Sequence, residues 1–83
     1  MKYEEIYEKI KNIIADEIHV KKELINEKTN FFEDLLIDEL NMLEIIISIE
    51  FEFDIDISDK VTEDIITVGD ITKLVENNIN LKV

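Results

Sequence analysis

A chain of 83 residues has room for one domain, 1-83, and its 46% hydrophobic content is too high for a disordered acidic tail. Lys plus Arg number 9 against 21 Asp plus Glu, and the resulting net charge of -12 excludes nucleic acid and anionic lipid as direct partners. The absence of Cys excludes a disulfide framework and thiolate chemistry.

From Tyr3 to His19, the residues Ile6, Ile10, Ile13, Ile14 and Ile18 recur at the spacing of one amphipathic helix face, with Tyr3 and Tyr7 at its flanks. The start of this segment is interrupted by charge too often for a signal peptide, and no apolar run approaches the roughly 18 residues of a membrane span. A cytoplasmic protein without membrane insertion is expected. Val20, Leu24 and Ile25 follow at looser spacing, and Asn26, Thr29 and Asn30 mark a long irregular connection. Phe31, Phe32, Leu35 and Leu36 read as plugs that pin this connection to the core.

Asp38 is placed to cap a second helix, with Glu39 in its first turn, where a negative side chain meets the positive helix end. This helix is apolar on more than one face. Leu40, Leu43, Ile46, Ile47, Glu50 and Phe53 trace a broad stripe, and Met42, Ile45, Ile49 and Phe51 lie around the remainder. A small domain has no room to bury them all, so part of this helix should be an apolar surface. Ile55-Asp56-Ile57-Ser58 alternates but is too brief for a sheet, and Ser58 caps a short helix over Lys60 to Asp64. Thr67 is placed to cap the last helix, which Thr67-Val68-Gly69-Asp70 opens and whose stripe is Ile71, Leu74, Val75 and Ile79. The expected fold is all-α: three main helices plus one short helix, with a long first loop.

Carboxylates are plentiful, but no calcium loop with its central Gly and distal Glu is present. Charge density alone supports only weak, exchangeable divalent binding, around Glu33, Asp34, Asp38 and Glu39 or from Glu50 through Asp54 and Asp56. His19 is the only His and has no nucleophile near it in sequence, so it reads as structural. Ser48 falls inside the apolar helix and Ser58 is a cap, which leaves no nucleophile for a hydrolase. The chain is expected not to be an enzyme.

Phe31-Phe32-Glu33-Asp34-Leu35, Asp38-Glu39-Leu40, Glu44, Glu50-Phe51-Glu52-Phe53-Asp54, Ile57-Ser58-Asp59 and Ile65-Ile66-Thr67-Val68-Gly69-Asp70 together resemble the acyl carrier protein family. The resemblance runs from Ile6 to Asn80 and implies a small acidic bundle that carries acyl chains on a phosphopantetheine arm. In that family an Asp-Ser-Leu triplet supplies the hydroxyl that forms the phosphodiester. Here Glu39 stands at the serine position between Asp38 and Leu40, and Leu36 and Ile37 replace the usual small residues before the aspartate. The expectation is therefore no cofactor as written, and phosphopantetheine only if a serine occupies position 39.

The resemblance also implies a docking surface for the basic face of a partner enzyme such as an acyl synthase or transferase. Glu39, Glu44 and Glu50 would supply its charge, and Leu43 and Ile47 its apolar contacts. Glu39 would then be a crude negative substitute for the phosphate at a helix N-terminus. Three readings stay open. The first is a carrier-like domain without an arm that acts by docking. The second is a genuine carrier whose attachment serine has been replaced in this chain. The third is a helical adaptor unrelated to acyl transfer that pairs through Ile45, Ile49 and Phe51. A monomer is expected, with weak homodimerisation through Phe51 as its alternative.

Overall fold

The isoleucine stripe of the first segment forms α1, Tyr3–Ile18, and buries Ile6, Ile10 and Ile14 completely. The computed structural model describes residues 1–81, without the side chain of Leu81. His19 ends α1 in the left-handed region at φ 58, with its N–H donating to Ala15. A single 3-10 turn, Lys22–Leu24, interrupts the connection that follows, a detail the sequence pattern did not contain. Then come α2, Glu39–Phe53, a one-turn α3, Asp59–Thr62, and α4, Val68–Leu81. α1 packs against both α2 and α4. Among the described residues there is no β-strand, only an isolated antiparallel bridge between Asn30 and Thr67.

That bridge explains how a long loop stays in place. Phe31 N–H donates to Ile66 O at 2.9 Å and Val68 N–H to Thr29 O at 3.0 Å, tying the loop to the start of α4. Inside the loop, Asn30 Oδ1 accepts from the N–H groups of Phe32 and Glu33, and Asp34 accepts from Asn30 N–H. The backbone groups of a turn need such partners when no helix or sheet supplies them. Phe31 is fully buried by this arrangement and Leu35 is half-buried, but Phe32 and Leu36 are exposed. Two of the four expected plugs therefore point outward. The chain turns so sharply after Phe31 that consecutive side chains fall on opposite sides.

The outward turn at Leu36 has a cost. Its φ of 52 lies in the left-handed region, where an L side chain other than Asn or Asp is disfavoured by about 1–2 kcal/mol. Asp54, at φ 53, ends α2 in the same way with a residue type that tolerates it. Gly69 is needed for a different reason. Its N–H donates to Glu27 O at 2.9 Å, and a Cβ there would sit 3.0 Å from that same oxygen. The first loop therefore presses directly on the opening turn of α4.

All three expected caps form. Asp38 accepts from Asn41 N–H at 2.8 Å and Ser58 from Val61 N–H at 3.3 Å. Thr67 Oγ1 accepts from Asp70 N–H at 3.2 Å, while Asp70 Oδ2 accepts from Thr67 and Ile66 N–H, each at 3.0 Å. This reciprocal pair holds the Asp70 carboxyl below its ordinary value of 3.8; Thr67 N–H is the main cause, opposed by partial burial and reinforced by Ile66 N–H and the Thr67 hydroxyl. A carboxyl depressed on folding stabilises above its unfolded value, and that stability is lost as pH falls through the lower folded value. Asp70→Ala is therefore expected to cost about 1 kcal/mol at neutral pH. In urea melts across pH, it should also remove part of the decline below 3.8.

α2 faces the core with a different side from the broad stripe traced in the sequence. Met42, Ile45, Ile46 and Ile49 are buried, whereas Leu40, Leu43, Ile47 and Phe51 are exposed. Ile45 and Ile49, assigned to an adaptor's pairing face, are fully buried and unavailable to a partner. A helix apolar all round does not announce its inner side. The positions of α1 and α4 decide it.

Candidate functional site

The start of α2 gathers the residues that the sequence singled out. Asp38 is extended, at ψ 178, and its carboxylate is occupied with Asn41 N–H. Glu39 is the first helical residue and is exposed, as is Leu40 beside it. Ile37 behind them is buried, and its N–H donates to Phe31 O at 2.9 Å. The buried phenylalanine thus sets the position of the turn that delivers Asp38 and Glu39.

A groove of about 310 Å³ opens from Glu39 between α2 and α3. Met42, Leu43 and Ile46 make its apolar side, and Phe32, Thr62 and Glu63 lie along it. No hydroxyl stands at the helix start. Thr62 Oγ1 is held by Asp59 O and Ser58 Oγ by Val61 N–H. Ser48 lies about 13 Å along the α2 axis from Glu39. It shares a separate hollow with Asp16, Glu17 and His19. The structure thus brings His19 and Ser48 near one another, which the sequence did not foresee, but no hydrogen bond joins them into a nucleophile–base pair.

The acidic residues fall into distinct roles. Glu39 and Glu44 are exposed on α2. Glu50, expected on the docking surface, is half-buried and accepts from Ile57 N–H at 2.8 Å, so it fastens the α2–α3 turn. Glu52 pairs with Lys9 of α1 at 3.4 Å. Glu17 is pushed above the usual carboxyl range, chiefly by a hydrogen bond with Glu44 and then by desolvation and the Glu44 charge, with His19 opposing. Two carboxyl groups therefore meet across α1 and α2 beside the exposed face. Among the described residues, no three ligating side chains converge on a metal position. Asp34 and Asp38 spend oxygens on backbone N–H groups, and Glu33, Asp54 and Asp56 are exposed.

Several large apolar residues of this region are exposed. Leu36 is 80% exposed, Leu40 63%, Leu43 51%, Ile47 54% and Phe51 89%. From Leu40 onward their spacing of three, four and four keeps them on one side of the helix. Leu43 and Ile47, expected as docking contacts, belong to it. Phe51 extends it toward the C-terminal end of α2, and Leu36 is exposed on the loop before the helix.

Comparison with known proteins gives this arrangement a context. The phosphopantetheine attachment site family model matches residues 8–75. An acyl carrier protein of Picosynechococcus sp. is 43% identical over 72 residues, which cover 87% of this chain and 89% of the relative. One from Lactobacillus acidophilus is 42% identical over 78 residues, covering 94% and 98% respectively. The solved structure of an acyl carrier protein from Enterococcus faecalis superposes with a TM-score of 0.79 at 29% identity, over 94% of this chain and 99% of that one.

Proposed function

The chain belongs to the acyl carrier protein family, and from that premise we propose that it serves acyl metabolism in the cytoplasm as a single non-catalytic, carrier-type domain recognised by acyl-handling enzymes. The observation that carries this reading is the exposed α2 face, where Leu40, Leu43 and Ile47 lie between Glu39 and Glu44 at a well-capped helix start. Acidic edges steer a basic partner and the aliphatic centre supplies the contact that persists.

Position 39 decides what is carried. Attachment of phosphopantetheine through a phosphodiester requires a hydroxyl at the start of α2, and Glu39 has none. A carboxylate there does not fit the group, and Ser48, Ser58 and Thr62 stand elsewhere or are engaged. As written, the chain is a docking domain without an arm. The second reading, a genuine carrier in which Glu39 has replaced the attachment serine, is the one that the likeness to carrier proteins over nearly their whole lengths favours. Both readings require the same docking face, and both give phosphopantetheine a place only with serine at position 39.

The parent chain is accordingly expected to slow the loading of a serine-bearing family member by a phosphopantetheinyl transferase with coenzyme A, and to do so competitively. Glu44→Lys should weaken that inhibition, since a reversed rim charge opposes encounter. An uninhibited reaction with the parent in large excess contradicts the docking reading.

A further inference from the structure

The last turn of α1 holds Asp16 and Glu17 and no basic side chain, although a helix C-terminus is where carboxylates are least favoured. With Ile13, His19 and Ser48 they line a hollow of about 310 Å³ where α1 meets α2. Glu44 stands four residues before Ser48 on the same side of α2, and it hydrogen-bonds with Glu17 across the two helices. The ion pairs among the described residues, Lys9 with Glu52 and Lys11 with Glu8, leave both carboxyl groups without a cationic partner. Two carboxylates this close repel when both are ionised, and a single retained proton turns that repulsion into a bond.

The other charges around this end of α1 do not replace that proton. Asp16 adds to the repulsion from the same hollow, and His19, at the end of α1, acts on Glu17 in the opposite sense. The 3-10 turn packed on α1 carries Lys22 and Glu23 side by side, with Lys21 before them. On α4, Asp70 is engaged with Thr67 and Ile66 N–H, Lys73 lines a hollow with Val61 of α3, and Glu76 acts on Tyr3 at the far end of α1. Further along α2, Glu50 accepts from Ile57 N–H and Glu52 pairs with Lys9.

We propose that the end of α1 and the middle of α2 form a proton-operated latch: one proton shared between Glu17 and Glu44 closes this end of the bundle on mild acidification, and its loss loosens it toward neutral pH. The inference does not depend on the docking reading. Because Glu17 is held above the usual carboxyl range, its contribution is fully present below the unfolded value of 4.5 and is lost as pH rises through the higher folded value. Asp70 works in the other direction, with its contribution fading below 3.8. Stability should therefore rise as pH falls from 7.5 to 5 and decline only in stronger acid.

Carboxyl carbon NMR titration with amide hydrogen exchange at pH 5 and 7.5 tests the latch. Glu17 is expected to titrate above the exposed acids in the parent and to return among them in Glu44→Gln. The N–H groups of His19 and Val20, which both donate to Ala15 O, report on the end of α1. Their protection, relative to Ile71 and Val75 in α4, should fall about threefold between pH 5 and 7.5 in the parent. Glu17→Gln donates to Glu44 at either pH, so it should abolish that fall and melt above the parent at pH 7.5. Asp56→Asn removes one exposed charge elsewhere and should keep the parent's response. A Glu17 that titrates with the exposed acids, or that is unmoved by Glu44→Gln, overturns the proposal. So does a fall in protection that persists in Glu17→Gln, or one that Asp56→Asn abolishes equally, since the net charge alone is then its cause.

Discussion

Phe31→Ala is expected to lower stability by about 3–5 kcal/mol, measured as a shift in urea midpoint. The whole domain has roughly 4–12 kcal/mol to lose, at 0.05–0.15 kcal/mol per residue, so much of the population should unfold. Phe31 is the largest side chain that is fully buried. It is also the point where the first loop meets the opening of α4, through its N–H to Ile66 O, and where the turn before α2 is held, through its carbonyl to Ile37 N–H. Removing the ring leaves a cavity at that junction and loosens the segment carrying Asp38 and Glu39. A loss below about 1 kcal/mol would mean that the loop collapses onto the core without the ring and that the hydrogen bonds alone position the site. Phe32→Ala is the natural control: its neighbouring ring is exposed and should matter far less.

What could be read from the residues was local. The isoleucine spacing of α1 stated both its type and its buried face, because polar residues fill the other side. Asp38, Ser58 and Thr67 were legible as caps since a side-chain oxygen at a fixed offset from free N–H groups has one favourable use. α2 shows where such reasoning stops. With apolar residues on every side, its periodicity contains no direction, and the exposure of Leu43 and Ile47 against the burial of Ile45 and Ile49 is set by α1 and α4. The role of Glu50 was hidden for a related reason: its partner, Ile57 N–H, lies across a turn whose shape the sequence does not spell out. Leu36 carries no mark of a left-handed residue, and the strain there emerges only from the path between Phe31 and Asp38. The resemblance implies that Glu39 stands at the attachment position, and the folded chain puts that residue in the open at the first turn of α2.

The second large effect is all or none. Glu39→Ser places a hydroxyl at the first position of a helix already capped by Asp38, beside an apolar groove and at one edge of the exposed face. The Glu39 side chain is exposed and makes no hydrogen bond among the described residues, so the exchange should leave the fold unchanged. What it alters is chemistry: a hydroxyl takes the phosphoryl group of the arm as a stable ester, and a carboxylate does not. Leu36 and Ile37 remain in both proteins, so a successful exchange also shows that the altered loop is compatible with the transferase.

Intact-mass spectrometry of the parent and of Glu39→Ser, each incubated with coenzyme A and a broad-specificity phosphopantetheinyl transferase, tests the central claim most directly. The account predicts an unchanged parent and a variant heavier by one phosphopantetheine group. A parent that gains the arm, or a folded Glu39→Ser that does not, contradicts it.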